Sequence, residues 1–396
     1  MIETWLDENW DPALSVREWW ARLAGAGLSH PMLPEPWGRG WSAAETVELA
    51  EAIIARGALG PPTGLGLVLA APTLLMHASP ALVERLVPPI LNGEQAWCQL
   101  FSEPGAGSDL AGLQTRAERD GDEWVITGQK VWTSLGQWAD YGMLLARTDS
   151  DAPKHQGITY FALRMDQPGV EVRPLREMTG RAMFNEVFLT EARVPVDHMV
   201  GELGGGWAVA NTTLMVERGS AGGGNVAAPS AAIPGTIAGH LERAAGEFAG
   251  RAGPAREGVV DAHEFSELVD LARKRGVTHD PMLRQQIAQL YSLITIADWQ
   301  MQAMRSNIAP GAGNIFKLRN SEIVRQAREV GCRILGADAM VGDGFVQDLT
   351  LMSPAPSIYG GSDQVQRNII GERVLGLPKE PGPSKDTPFR DLLHNG

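Results

Sequence analysis

Apolar residues recur at helical spacing over the first part of the chain, between breaks formed by proline and glycine. Ser42, followed three residues later by Glu45, has the form of a capping box, in which each side chain bonds the backbone N–H of the other residue. This box predicts a helix that runs through Ala55. The apolar spacing between Pro80 and Leu91 predicts another helix. The first part of the chain is therefore expected to be helical.

The pattern changes in the middle of the chain. Short runs rich in β-branched and aromatic residues are separated there by turn clusters such as Asp120-Gly121-Asp122. The predicted strands are residues 124–127, 141–147, 158–164, 170–172, 186–189 and 194–195. No helical run separates these strands, so the spacing favours an antiparallel sheet or barrel over a Rossmann fold.

Helical spacing returns after the glycines at 204–206 and is strongest over residues 279–335. Residues 219–260 are rich in glycine and alanine, and their prolines exclude one uninterrupted helix. The order of elements predicts an α+β fold. Its predicted parts are an N-terminal helical domain (1–97), a middle β domain (98–205) and a C-terminal helical domain (206–396).

Composition narrows the class of protein. A chain of 396 residues suits two or three domains, and a net charge of −13 argues against nucleic acid as a partner. The acidic amino terminus does not resemble a signal peptide, and the most apolar stretch, residues 64–76, is too short to cross a membrane. The two cysteines and eight histidines show no metal-ligand spacing. We expect a cytoplasmic protein without membrane insertion or a metal site.

The most informative stretch is Phe101–Gly112, which reads FSEPGAGSDLAG. Its three glycines and two serines allow a backbone to approach a ligand closely, although a Gly/Ser segment is also typical of an ordinary turn. The stretch resembles the signature of the acyl-CoA dehydrogenase family, flavoenzymes that desaturate thioesters. The resemblance implies that Phe101 and Ser102 contact the flavin ring of FAD. It also implies that Gly107 and Ser108 approach the pyrophosphate, and that Ser108 touches the pantetheine arm of the substrate.

Two further motifs resemble the same family, and the resemblance covers about residues 16–381. In Lys130–Ser134, the family's pattern implies that Trp132 packs on the flavin and that Ser134 bonds near its N5 and O4 atoms. Read alone, Trp132 is more typical of a core aromatic. In the motif over residues 358–368, Ser362 and Gln364 match cofactor-contacting positions. Read alone, this motif is a turn before an amphipathic helix over 363–374.

The expected chemistry needs a carboxylate that removes the proton α to a thioester carbonyl. Many family members carry that glutamate at the position of Gly360, where this chain has none. Other members, among them actinobacterial FadE-like enzymes, place it in a Glu-Arg pair on the helix after the β domain, which Glu217 and Arg218 match. A helical projection puts Glu217 on a stripe with Trp207, Ala210 and Leu214, where burial would raise the pKa of a base.

The resemblance therefore implies Glu217 as catalytic base and Arg218 near the substrate, whereas a structural Glu-Arg pair is the alternative from the residues alone. It implies FAD-dependent dehydrogenation of an acyl-CoA to the trans-2-enoyl-CoA in fatty acid or steroid side-chain β-oxidation, with electrons passed to an electron-transfer flavoprotein. A flavin oxidase or monooxygenase on the same fold is one alternative. A non-catalytic or half-site subunit of a heteromer is another. The expected assembly is a homodimer, a homotetramer or an α2β2 heteromer.

Overall fold

The computed structural model describes residues 2–219, 230–250, 260–305, 311–382, 384 and 386–392. The chain begins with helices, as the sequence predicted. Ser42 and Glu45 make both hydrogen bonds of the capping box, and Gly57 ends that helix in the left-handed conformation (φ 66°). The helices of this part are α1 (Ile2–Asn9), α2 (Val16–Gly25), α3 (Ala43–Arg56), α4 (Ala71–His77) and α5 (Pro80–Leu91). A π-helical turn, Gly66–Ala70, leads directly into α4.

The middle of the chain forms one mixed sheet, whose neighbouring strands run in the order β6-β7-β3-β2-β4-β5-β8, with β1 also paired to β4. The strands are β1 (Trp97–Leu100), β2 (Arg116–Asp120), β3 (Glu123–Ser134), β4 (Tyr141–Arg147), β5 (Ile158–Arg164), β6 (Val170–Leu175), β7 (Phe184–Pro195) and β8 (Met199–Val200). Every predicted run lies in a strand, and β4 and β5 have the predicted bounds. The runs 186–189 and 194–195 form one strand, β7, and β1, β2 and β8 were not predicted.

The sheet departs from the antiparallel prediction at β1 and β2, because both run parallel to β4. Trp97 is paired with Tyr141 near the start of β4, and Arg116 is paired with Arg147 at its end. The two strands therefore lie end to end along β4. The residues between them, 101–115, leave the sheet as a loop and return to it.

Helices follow the sheet. They are α6 (Gly206–Gly219), α7 (Ala262–Lys274), α8 (Pro281–Arg305), α9 (Ala312–Leu335), α10 (Phe345–Met352) and α11 (Asp363–Ile369). The helix predicted over 363–374 is α-helical only to Ile369 and continues as a π-helical turn, Ile370–Val374. The order of helices, sheet and helices confirms the α+β fold. Among the described residues, no helix is long and apolar enough to cross a membrane.

Prolines were predicted to interrupt the helical pattern over residues 219–260. Part of this region packs against the N-terminal helices. Residues 220–229 and 251–259 lie outside the described residues. Over 230–250 the chain is irregular, and the backbone N–H of Arg17 donates to the carbonyl of Leu241 at 2.9 Å. Leu241 and Phe248 are buried in the same cluster as Trp19 and Trp20. This segment therefore completes the hydrophobic core of the N-terminal helices.

We expect Leu241→Ala to lower the free energy of unfolding by about 2–5 kcal/mol, because the leucine is 3% exposed and its loss leaves a cavity beside α2. The measurement is chemical denaturation followed by tryptophan fluorescence. Ile237→Ala is the matched control, since Ile237 lies on the same segment but is 46% exposed. Equal losses in the two variants would contradict the packing assigned to this segment.

Candidate cofactor and active site

The loop between β1 and β2 is built around a buried ion pair. The Lys130 Nζ lies 2.8 Å from a carboxylate oxygen of Glu103, and Lys130 is fully buried. The ammonium also donates to the carbonyl of Phe101 at 3.1 Å. The carboxylate accepts the backbone N–H groups of Gln114 at 2.6 Å and Thr115 at 2.9 Å. Glu103 therefore joins the two ends of the loop to each other and to β3.

The two charges of this pair stabilise one another. Burial by itself raises the pKa of Glu103, but the Lys130 ammonium and the N–H of Gln114 hold that pKa below its usual value. Burial lowers the pKa of Lys130, and the Glu103 carboxylate opposes this change. Neither residue was singled out as functional from the sequence. A lysine directly before the apolar pair Val131-Trp132 and a glutamate inside a glycine-rich loop were the available signals.

The central part of the loop is open to solvent. The backbones of Glu103 and Ala106 exchange two hydrogen bonds of 3.0 Å, which forms a tight turn. Gly107 and Ser108 follow this turn and are exposed, and a Cβ on Gly107 would meet nothing within 4 Å. Phe101 is instead buried. The turn thus presents the backbone and hydroxyl donors that an anionic group can bind.

The second motif adjoins this loop through the backbone, since the Val131 N–H donates to the carbonyl of Ser102 at 2.9 Å. Trp132 follows at an irregularity in the pairing of β3 with β7, between Lys130 and Thr133. Its φ is 61° and its side chain is 60% exposed. A bulky residue in the left-handed region is a conformational outlier, and such outliers concentrate at functional sites. The core-aromatic interpretation of Trp132 is therefore wrong.

These residues fit a flavin. The exposed indole offers a flat surface, with the Phe184 ring 5.9 Å away and edge-on to it. Ser134 is the last residue of β3, where it is paired with Phe184 of β7, and it is partly buried. The open turn with Gly107 and Ser108 is tied to this surface through Glu103 and Lys130. Among the described residues, no group of three or more metal-ligating side chains is present.

The third motif lies in the C-terminal helices. Ser362 caps α11, and its hydroxyl accepts the Val365 N–H at 3.3 Å, while Gln364 is exposed. Neither side chain forms a hydrogen bond to the loop between β1 and β2 in the part of the chain that the structure describes. Gly360 has φ 62°. A glutamate at this position would adopt a strained backbone, so the absence of the common family base there agrees with the local geometry.

The helix α6 packs closely on the sheet because it begins with glycine. A Cβ on Gly206 would lie 2.6 Å from the carbonyl carbon of Thr159 on β5. The buried face of α6 comprises Gly206, Val209, Ala210, Thr212 and Thr213.

Glu217 lies one turn after Thr213 and is partly buried. The projection from the sequence predicted a stripe with Trp207 and Leu214, but both are only partly buried, so the face that packs on the sheet is rotated towards Thr213. The Arg218 side chain lies outside the described residues.

The loop and α6 share a contact with one tyrosine of β5. Tyr160 is buried, its ring packs edge-on at 5.9 Å from that of Phe101, and its hydroxyl is 3.4 Å from the Thr213 Oγ1. Thr213 also contacts the Thr73 hydroxyl of α4 at 3.0 Å. Burial raises the pKa of Tyr160, so its hydroxyl stays protonated at neutral pH. The structure therefore brings the helix of Glu217 and the start of the loop to the same buried side chain.

Comparison with known proteins identifies this arrangement. A family model described as acyl-CoA dehydrogenase, middle domain, matches residues 98–191, and one described as acyl-CoA dehydrogenase, C-terminal domain, matches residues 240–375. The acyl-CoA dehydrogenase IpdE1 of Mycobacterium tuberculosis is 38% identical over 372 residues, which cover 92% of this chain and 88% of that protein.

Solved structures resemble this one over nearly the whole chain. The Tcur3481-Tcur3483 steroid ACAD has a TM-score of 0.70 at 26% identity and covers 96% of both chains. The ChsE4-ChsE5 complex from Mycobacterium tuberculosis has a TM-score of 0.69 at 25% identity and covers 92% of this chain and 90% of that one.

We expect Glu103→Gln to lower the free energy of unfolding by about 3–5 kcal/mol at pH 7, because it leaves the buried ammonium of Lys130 without its counter-charge. The pKa of Glu103 is lowered in the folded state, so its contribution is present above the unfolded pKa of about 4.3 and is lost as the pH falls through the folded pKa. The difference between wild type and variant should therefore narrow on acidification.

The measurement is urea unfolding of both proteins between about pH 7 and pH 3. Glu118→Gln is the control, since Glu118 forms an exposed ion pair with Arg116 on β2. A difference between wild type and Glu103→Gln that does not change with pH would contradict the charged state assigned to the pair.

Proposed function

This chain belongs to the acyl-CoA dehydrogenase family of oxidoreductases, and we propose that it binds FAD and oxidises the α,β bond of an acyl-CoA thioester to the trans-2-enoyl-CoA. The observation that carries this proposal is the exposed, left-handed Trp132, which is fixed next to an open glycine-serine turn. Acyl-CoA dehydrogenases generally use FAD, and a strained indole that faces solvent is explained by a flat ligand that stacks on it.

Each residue of the site has a proposed role towards the cofactor or substrate. Trp132 and Phe101 position the flavin ring, and Ser102 and Ser134 bond its polar edge. The open turn places Gly107 and Ser108 for the pyrophosphate, with Ser108 also facing the pantetheine arm. Ser362, Gln364 and Arg218 are retained as proposed contacts on the strength of the family motifs alone: the first two to the cofactor, and Arg218 to the substrate.

The proposed reaction separates one proton and one hydride. Glu217, on the α6 face that packs towards β5, accepts the α-proton of the thioester on its carboxylate. The electron pair of the broken Cα–H bond forms the new double bond while the β-hydrogen leaves as hydride. When bound, FAD supplies the hydride acceptor. The apolar cluster around Phe101, Tyr160 and Ala210 excludes water from the region between the loop and α6.

We propose that the substrate is a steroid-derived acyl-CoA and that an electron-transfer flavoprotein accepts the electrons. A related structure is described as a steroid ACAD, and two related structures hold a pair of named proteins. These relatives favour an α2β2 heteromer for this chain over a homodimer or homotetramer. The relevant experiment is anaerobic bleaching of the yellow protein with matched straight-chain and steroid side-chain CoA thioesters.

The outcomes of that experiment separate the alternatives. Bleaching by the steroid thioesters supports the proposal, and bleaching by straight-chain thioesters alone contradicts the substrate class. Rapid reoxidation of the bleached flavin by O₂ would identify an oxidase or monooxygenase. Bleaching only after addition of a second co-purifying chain would identify a half-site subunit.

We expect Glu217→Gln to lower kcat about 10²–10⁴-fold while FAD stays bound, because the amide cannot accept the α-proton. Stopped-flow flavin reduction measures the chemical step, and flavin absorbance measures occupancy. Glu202→Gln is the control, since Glu202 is an exposed carboxylate in the turn before α6. Full activity in Glu217→Gln would show that another group is the base.

We expect Trp132→Gly to raise the dissociation constant for FAD about tenfold without destabilising the apoprotein. Glycine relieves the left-handed conformation, which costs an L-residue roughly 1–2 kcal/mol, and little packing is lost from a side chain that is 60% exposed. Trp299→Ala, at an indole that is 62% exposed on α8, is the control for both measurements. Unchanged FAD affinity in Trp132→Gly would remove the indole from the proposed site.

A further inference from the structure

A segment that follows the C-terminal helices, residues 386–392, docks on the middle domain beside the loop between β1 and β2. Residues 386–392 lie along the connection between β4 and β5. The Phe389 N–H donates to the carbonyl of Ala152 at 3.0 Å, and the Arg390 N–H donates to the carbonyl of Ser150 at 3.1 Å. These bonds give the segment a defined register on the middle domain.

Docking buries one side chain of this segment against a buried cation. Phe389 is 5% exposed, and its ring centroid lies 3.3 Å from the guanidinium carbon of Arg147, which is itself 3% exposed. Burial lowers the pKa of Arg147 to about 10, so the guanidinium remains charged at neutral pH. A cation over an aromatic face is stabilised more strongly when both groups are desolvated. The Phe389 ring therefore covers a charge that would otherwise attract water.

The edges of the same guanidinium bond the end of the loop. Arg147 donates to the carbonyls of Ala111 at 2.7 Å, Leu113 at 3.1 Å and Lys154 at 3.2 Å. Glu103 and Lys130 join the two ends of the loop, and Arg147 holds the turn that follows Ser108, between those ends. The guanidinium face is occupied by Phe389, while its edges are occupied by backbone carbonyls.

We infer that Arg147 and Phe389 are positioning residues for the cofactor. Phe389 covers the Arg147 guanidinium and keeps it bonded to the loop carbonyls. These bonds hold Gly107 and Ser108 in the conformation that binds the FAD pyrophosphate. This inference rests on the proposed function. Water admitted at the guanidinium face would compete for the donors of Arg147 and loosen the loop. Phe389 and Arg147 are more than 200 residues apart in sequence, so their contact forms only in the folded chain.

The experiment compares wild type with Phe389→Ala by amide hydrogen exchange and FAD titration. The amides of Gln114 and Thr115, which bond Glu103, report on the loop, and amides of β5 serve as the internal reference. We expect about tenfold faster exchange at the loop amides alone, and a dissociation constant for FAD raised about tenfold. Arg390→Ala is the matched control, because it removes exposed ion pairs with Asp151 and Asp391 from the same segment and leaves the Phe389 ring in place.

Phe389→Leu, which keeps an apolar cover, replaces the alanine variant if that variant does not fold. Exchange that is unchanged, or that rises equally in β5, would overturn the inference, as would faster loop exchange with unchanged FAD affinity. An effect of Arg390→Ala as large as that of Phe389→Ala would also overturn it. A wild-type protein that binds no FAD would instead contradict the proposed function, so the two failures are distinguishable.

Discussion

The candidate site depends on the buried ion pair between Glu103 and Lys130. Neither charge can leave the other without becoming an uncompensated charge in the protein interior, which is strongly destabilising. The carboxylate also accepts backbone N–H groups from the far end of its loop. These contacts join the loop to β3 and place the open turn at Gly107 on the same supporting structure as the indole of Trp132.

Three strands of the sheet each contribute one buried polar side chain next to the loop: Lys130 from β3, Arg147 from β4 and Tyr160 from β5. Each of these buried side chains also receives a contact from the loop or from a distant part of the chain. Tyr160 contacts the loop at Phe101 and α6 at Thr213, and Arg147 receives the ring of Phe389. The middle domain therefore contributes the sheet and the loop that rests on it. The C-terminal part contributes the helix of the proposed base and the segment that covers Arg147.

Family resemblance assigns the proposed base to α6, and the backbone at the common family position agrees with that proposal. Gly360 and Gly361 both have positive φ, so the turn before α11 is formed most easily by residues without a Cβ. A carboxylate at the common family position would conflict with that turn. The helix α6 carries Glu217 instead, and Gly206 permits its close approach to β5.

The sequence by itself determined the order of the helical and β regions and the family. Local signals suffice for a capping box at Ser42, for the bounds of β4 and β5, and for glycine-rich motifs, because each depends on residues close together in the chain. Only the tertiary structure decided that β1 runs parallel to β4, that Lys130 pairs with Glu103, that the buried face of α6 is rotated towards Thr213, and that Phe389 covers Arg147. These features pair residues separated by tens to hundreds of positions. Their stability comes from burial and charge compensation, which exist only after the chain has folded.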